Sequence, residues 1–288
     1  MNKNRKSIII FLLLVLGITY VWEIGIYRAG ISYGSAKYNA FMVGLMWFPA
    51  ICVYAAKWIC KEKIRFGLKS EINLLPPCSR KNGKYYILAV TVPFIYILAA
   101  DFLIYLRYPE QFNFNKISEK SVMIGFLMSF GVGIIYSLIE ALGEEIGWRG
   151  FLMPRLAKEM SMPAVIIVSG TIWGLWHAPI VYQGHTFGLK YKGAPWGGIV
   201  LMCLFCIFIG AWFYYIYVRS GSILVCALAH GFHNIVWSNF ALFGVEGKNA
   251  EAMLEQLKIN CMLLVPAMLL GGWAFWRLWG RNTESGEN

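Results

Sequence analysis

Eight ionisable or amide side chains lie inside three strongly apolar stretches of the sequence, and six of them are candidate site residues. These six are Glu144, Glu145 and Arg149 in IEALGEEIGWRGFL, His177 in GTIWGLWHAP, and His230 and Asn234 in LAHGFHN. Such groups are costly in an apolar segment and usually mark a functional site. A carboxylate and an imidazole can activate water, while an imidazole and an amide can donate hydrogen bonds to a developing negative charge. These residue types therefore indicate hydrolysis of an amide.

The distance in sequence to Arg149 distinguishes the expected roles of the adjacent residues Glu144 and Glu145. Glu145 and Arg149 are four residues apart, which favours an ion pair within one helix. We therefore expect Glu145 to neutralise Arg149 and to position it. Glu144 has no such partner in the sequence, so it is the candidate general base.

The composition indicates a membrane protein. Of 288 residues, 14% are charged and 58% are hydrophobic, and the mean hydropathy is +0.57. These values exclude a disordered chain, a secreted disulfide scaffold and an ordinary water-soluble enzyme. The net charge of +11 would suggest a nucleic-acid partner in a soluble protein. Here the basic residues lie between apolar runs, so membrane orientation explains them and we expect no nucleic-acid partner.

Eight charge-poor windows have lengths near that of a membrane-spanning helix. They cover residues 7–22, 38–56, 85–100, 121–139, 160–189, 193–218, 220–245 and 259–276. The sequence therefore predicts an all-α polytopic integral membrane protein with about eight transmembrane helices. We expect one domain over residues 1–288, with a motif-bearing core at about 121–245.

The Lys and Arg distribution predicts the orientation. Segments on the same side as the N-terminus hold 17 of the 26 basic residues, and those on the other side hold 9. The positive-inside rule then places both termini in the cytoplasm. The compact chain and its basic start suggest a prokaryotic plasma membrane.

Helix geometry predicts that the polar residues meet. At 1.5 Å per residue, Glu144, His177, His230 and Asn234 lie roughly 15, 21, 12 and 18 Å from the cytoplasmic ends of their helices. These depths agree within about two turns of helix, so we expect one site within the bilayer, open to the cytoplasm if to either side.

Glycines at four-residue spacing occur beside this site. Gly143 and Gly147 lie in the fourth window, and Gly170 and Gly174 lie in the fifth. Small residues with this spacing let transmembrane helices approach closely. We therefore expect the fourth and fifth helices to pack closely against each other there.

Three motifs follow one another in a fixed order. They are EExxxR at Glu144, Glu145 and Arg149, an aromatic-xxx-His at Trp173 and His177, and HxxxN at His230 and Asn234. In this order they resemble the motifs of the CAAX protease and bacteriocin-processing family, also called Abi proteins. Phe is the usual family residue where this chain has Trp173, and both supply a flat apolar wall.

The resemblance implies an intramembrane endopeptidase of the glutamate type. Glu144 with His177 would activate a water, and His230 with Asn234 would form the oxyanion hole. The substrate would be a membrane-associated peptide or a prenylated protein, reaching the site from the cytoplasmic side.

Two polar residues near the site keep no assigned role. Glu140 lies one helical turn before Glu144, and His233 lies three residues after His230. A bond from the His233 ring to a neighbouring backbone carbonyl is the expected arrangement.

Three alternatives stay open. Glu144, His177 and His230 could hold zinc as a His₂Glu set, although HExxH is missing and metal-free chemistry without a cofactor is favoured. Buried Glu, Arg and His also occur in ion- or proton-coupled transporters. The third alternative is a non-catalytic scaffold in bacteriocin immunity or envelope maintenance.

Overall fold

The structure is a computed structural model that describes residues 2–64, 80–109, 112, 120–240 and 250–284. This part of the chain is almost entirely helical. Five of its helices are long and apolar enough to cross a bilayer, and two shorter ones are also apolar. The predicted all-α polytopic membrane fold is confirmed. The assignment of one domain to residues 1–288 stays a prediction.

Nine helices carry the described part of the chain. They are α1 (Lys3–Arg28), α2 (Ala36–Ile59), α3 (Arg80–Arg107), α4 (Met123–Leu156), α5 (Met162–Trp176), α6 (Ala178–Tyr182), α7 (Trp196–Ser220), α8 (Ile223–Phe240) and α9 (Ala250–Glu284). Each predicted window overlaps one of these helices. The end of the seventh window, residues 241–245, lies outside the described residues.

The fifth window is shorter as a helix than the sequence predicted. The window covered residues 160–189, but α5 ends at Trp176 and the short α6 follows. Pro179 explains the break, because it has no N–H to continue the backbone hydrogen-bond ladder of α5. His177 directly follows Trp176 and lies at the end of α5, where the sequence placed it.

Helix α4 is not regular along its length. Two π-helical segments, Ser129–Gly133 and Ile146–Leu152, interrupt its α-helical turns. The second segment begins directly after Glu145. Such wider turns are frequent at functional sites because they change the direction of the side chains that follow.

The predicted contact between the fourth and fifth helices is wrong in its partners. A Cβ atom at Gly143 or Gly147 would collide with the backbone or Pro49 of α2, and one at Gly170 or Gly174 would collide with the backbone of α7. The glycines therefore allow close approach, as small residues do in membranes. They do so between α4 and α2 and between α5 and α7.

Buried aromatic rings connect α4 with α1 and α5. The Trp148 ring contacts Phe11 of α1 and Trp176 of α5, with both pairs of ring centroids 5.8 Å apart in edge-to-face geometry. All three side chains are at most 2% exposed. Close packing of such rings restricts their movement. This cluster thus fixes the helices that carry Glu144 and His177.

Hydrogen bonds define two ends of the helix bundle. At the first end, Glu159 accepts from Arg5 at 2.5 Å, and Arg155 donates to Glu62 at 2.7 Å. Because the beginning of α1 lies here, we call this the N-terminal end. At the opposite end, which we call the far end, the Tyr33 hydroxyl lies 2.7 Å from Nδ1 of His185.

Candidate active site

The side chains that the sequence proposed as catalytic line one cavity. It has a volume of about 440 Å³ and is bounded by α2, α4, α5, α7, α8 and α9. Glu144, His177, His230 and Asn234 all contribute to its wall, as does Trp173. Three helices distant in sequence thus place a carboxylate, two imidazoles and an amide around one space. Their individual roles stay predictions.

Glu144 has two partners that the sequence analysis did not foresee. Its side chain is buried, and its Oε2 accepts from Nε1 of Trp173 at 2.7 Å and from Nε1 of Trp148 at 3.2 Å. Hydrogen bonds of this kind to an ionised acceptor are strong. Among the described residues Glu144 has no ion-pair partner, as expected, but it has two hydrogen-bond donors. Trp173 is more than an apolar wall, because its indole N–H bonds the candidate base.

The second oxygen of Glu144 differs from the first. Within the described part of the chain, no side chain donates a hydrogen bond to Oε1. Because Glu144 lines the cavity, Oε1 is the oxygen that can accept a hydrogen bond from a water. Two hydrogen bonds therefore hold Oε2 of Glu144, and Oε1 is available to interact with a water.

His177 is oriented by the backbone of its own helix. Its Nδ1 lies 2.8 Å from the carbonyl oxygen of Trp173. A carbonyl only accepts, so Nδ1 carries the proton in this bond and Nε2 of the neutral ring is an acceptor. The ring is half-buried at the end of α5 and lines the cavity. It can therefore bind a water as an acceptor beside Glu144.

Glu145 forms the centre of a second buried network. Its Oε1 accepts from Arg149 at 2.9 Å, which confirms the predicted ion pair, and lies 2.7 Å from Nδ1 of His230. Its Oε2 accepts from Sγ of Cys226 at 3.0 Å. Glu145 thus positions a histidine as well as an arginine. Buried carboxylates with this many partners hold their side chains in one arrangement.

Arg149 connects the two networks. Its guanidinium carbon lies 4.0 Å from the centre of the Trp173 ring and 5.2 Å from that of Phe213. Cations over aromatic faces are attracted by the ring electrons, and more strongly away from water. The side chain of Arg149 is only 1% exposed. The arginine bonded to Glu145 therefore also supports the indole that bonds Glu144.

The two polar residues without an assigned role also line the cavity. Glu140 and His233 both contribute to its wall. His233 is hydrogen-bonded through Nδ1 to the hydroxyl of Tyr96 in α3. The expected bond to a neighbouring backbone carbonyl was therefore wrong. Tyr96 could not be found from the sequence, because it lies 137 positions away.

The cavity continues from the catalytic residues to the far end. Its wall there includes Tyr33, Tyr38 and Thr186, together with the His185 ring. Burial lowers the pKa of His185 to about 4. The ring is therefore neutral near pH 7, and its Nδ1 can accept a hydrogen bond from the Tyr33 hydroxyl at 2.7 Å.

The two histidines of the zinc alternative each use Nδ1 in another bond. Nδ1 of His177 faces a carbonyl and Nδ1 of His230 faces Glu145, so only the two Nε2 atoms and Glu144 remain for a metal. Among the residues that the structure describes, no three His, Cys, Asp or Glu side chains form a cluster suited to a metal ion. The two Nε2 atoms and Glu144 are the donors that the zinc alternative named, so the metal-free reaction stays a prediction.

Comparison with known proteins agrees with the motifs. Residues 126–236 match the family described as type II CAAX prenyl endopeptidase Rce1-like. CAAX prenyl protease 2 of Methanococcus maripaludis is 28% identical over 188 residues, which cover 63% of this chain and 66% of that protein. The match thus spans slightly less than two thirds of the relative. The segment 126–236, which contains all three motifs, is thus similar to CAAX prenyl endopeptidases.

Proposed function

We propose that this chain is an intramembrane endopeptidase that cleaves a peptide bond with a water activated by Glu144 and His177. His230 and Asn234 donate hydrogen bonds to the oxyanion that forms when the water attacks. The observation that carries this proposal is the single cavity lined by all four side chains. Base and oxyanion donors around one space are what amide hydrolysis requires.

The hydrogen bonds support this division of roles. Two indoles hold Oε2 of Glu144, so Oε1 takes the proton of the water. Nε2 of His177 accepts a second hydrogen bond and orients the same water. His230 can donate to an oxyanion only if its Nε2 carries a proton. Its Nδ1 stays hydrogen-bonded to Oε1 of Glu145 at the same time. The ion pair with Arg149 holds the carboxylate of Glu145 in place beside Nδ1 of His230.

The substrate is a peptide segment at the membrane. The relative is named a prenyl protease, so a prenylated C-terminal tail is one candidate. A peptide precursor or another membrane protein is the other candidate, because the many aromatic and aliphatic side chains in the cavity wall suit an apolar peptide segment. Neither candidate needs a cofactor.

A zinc-dependent reaction is the chemical alternative, and it would use Glu144, His177 and His230 as ligands. Cleavage by the purified protein should then stop with a chelator and return with zinc. A metal-free mechanism predicts that the chelator leaves the rate unchanged. A transporter or an immunity scaffold would keep its function without cutting any peptide.

Comparative proteomics of membranes tests the proposal. Cells with the wild-type chain are compared with cells carrying Glu144→Gln, which keeps size and polarity but cannot accept a proton. We expect one or more peptide fragments to disappear in Glu144→Gln cells. Glu159→Gln is the matched control, since Glu159 lies at the N-terminal end and outside the cavity.

Equal accumulation of both variants in the membrane must be shown by immunoblot. If Glu144→Gln accumulates normally and every fragment persists, the protease proposal fails and a scaffold is favoured. Flux through proteoliposomes that Glu144→Gln alters, with no peptide cut, would instead favour a transporter.

A further inference from the structure

We infer that α1 positions His177 for the proposed reaction, although α1 lies outside the matched segment 126–236. Three side chains of α1, those of Thr19, Tyr20 and Glu23, bond the stretch of chain that carries His177. Their spacing of three and four residues places them side by side on the helix. The inference rests on the proposed function, in which Nε2 of His177 orients the water.

Tyr20 completes the backbone hydrogen bonds at the end of α5. If α5 continued as a regular helix, the carbonyl of Leu175 would accept from the N–H of residue 179, but Pro179 has no N–H. The Tyr20 hydroxyl donates to this carbonyl at 2.7 Å. In membrane segments, neighbouring helices commonly bond the backbone groups that a proline leaves free. Tyr20 therefore fixes the backbone two residues before His177.

Thr19 supports the ring that lies next to His177. The side chain of Trp176 is buried, and its Nε1 donates to Oγ1 of Thr19 at 2.8 Å. The Trp176 ring meets the His177 ring edge to face, with the two centroids 4.8 Å apart. Both rings line the cavity. Because rings in a packed interior leave little free space, a tilt of the indole would move the imidazole. The Thr19 hydroxyl thus sets the direction of the His177 ring.

Glu23 holds the chain on the other side of His177. Its side chain is buried, and its Oε2 accepts from Nε2 of Gln183 at 2.9 Å and from the Tyr38 hydroxyl of α2 at 3.1 Å. A carboxylate is costly in a membrane span unless it has such donors. Gln183 caps the end of α6, so these bonds fix α6 against α1 and α2. The stretch 175–183 is therefore held on both sides of His177.

A positioning role and a purely stabilising role of α1 predict different kinetics. If α1 only stabilised the bundle, losing one of its bonds would reduce cleavage by the same factor with or without the His177 ring. If α1 positions that ring, the loss should vanish once the imidazole is absent. Residues that act through one another give losses that do not multiply.

Cleavage kinetics of Thr19→Val test this difference. Valine resembles threonine in shape but cannot accept from Nε1 of Trp176. We expect kcat to fall about tenfold with KM changed by less than about twofold, and Thr19→Ser, which keeps the hydroxyl, to stay near wild type. In the His177→Ala background, Thr19→Val should change the remaining rate by less than about twofold. Thr91→Val is the matched control and should keep the wild-type rate, because the Thr91 hydroxyl on α3 bonds the carbonyl of Ile87.

An equal loss from Thr19→Val in both backgrounds, or an unchanged kcat, overturns the inference. Tyr20→Phe is the second variant and decides the question if Thr19→Val does not accumulate in the membrane. Tyr20 is half-buried, and phenylalanine keeps its ring while removing the donor to Leu175. We expect the same fall in kcat and the same loss of effect in the His177→Ala background.

NMR of the histidine ring nitrogens tests the inference without any cleavage. The chain has four histidines, so isotope-labelled histidine gives few ring signals, and the His177→Ala variant identifies those of His177. We expect Thr19→Val to shift the His177 signals and to leave those of His230 in place. Unchanged His177 signals overturn the inference. If the wild-type chain cuts nothing, the proposed function fails, while these signals still report whether α1 positions the ring.

Discussion

The two indole N–H groups on one oxygen of Glu144 have a consequence for the rate of the proposed reaction. Trp173→Phe removes the donor at 2.7 Å but keeps a flat ring. Because the bond holds Oε2 and thereby aims Oε1, we expect kcat to fall about tenfold, or about 1.4 kcal/mol, with KM little changed. Cleavage rates of the purified variant at several substrate concentrations measure this.

Trp212→Phe is the matched control for this change. Trp212 is also buried in the bundle, yet its Nε1 has no hydrogen-bond partner among the described residues. We expect its kcat to stay near the wild-type value. Equal losses in both variants would contradict a positioning role for the Trp173 N–H and indicate a general effect of the smaller ring.

Arg149 should matter for stability as well as for chemistry. Arg149→Met leaves the carboxylate of Glu145, which is 0% exposed, without its cation. Removing one partner of a buried ion pair costs about 3–5 kcal/mol. We expect a clear fall in the temperature at which the detergent-solubilised protein loses its monodisperse state. The double change Glu145→Gln with Arg149→Met should recover part of that loss, and a double variant less stable than Arg149→Met would contradict this account.

At the scale of the helices, close approach of α5 to α7 sets the position of His177. A Cβ atom at Gly174 would collide with the backbone of Cys203 in α7. Overpacking of this kind typically costs about 1–3 kcal/mol. Gly174→Ala should therefore lower thermal stability and move His177, which lies three residues later, so that cleavage also falls.

Gly17→Ala provides the comparison, because no atom lies within 4 Å of a Cβ at that position in α1. Alanine is there expected to leave stability unchanged or to raise it slightly, since glycine is the poorer helix former. Equal stability of the two alanine variants would show that the α5–α7 contact can relax.

The sequence predicted the positions of the helices better than their ends and their packing partners. Each hydropathy window overlaps a helix, and five of the described helices are long and apolar enough to cross a bilayer, because a bilayer-crossing segment must be apolar over a fixed length. Hydropathy extended the fifth window to residue 189, because an apolar run does not reveal the helix break caused by Pro179. It also could not assign the partners of the glycines, since spacing shows which face is small but not which helix lies opposite.

In the molecule as a whole, the sequence predicted the local ion pair and placed four distant side chains near one another, but it missed individual hydrogen bonds between helices. The bond between Glu145 and Arg149 follows from four-residue spacing and is present. Trp148 has the same spacing from Glu144, so its bond was within reach of the same rule. The bond between Trp173 and Glu144 depends on how α4 and α5 pack, which no local pattern contains.

In the proposed reaction, Glu144 and His177 act on one water in one cavity. The direct measurement is the single-turnover cleavage rate of Glu144→Gln, His177→Ala and the double variant, with the peptide found by proteomics as substrate. Residues that act as a unit give losses that do not multiply. We expect each single variant to lose at least about a thousandfold in rate, and the double variant to be no slower. Single variants within tenfold of wild type, or losses that multiply in the double variant, would contradict the account.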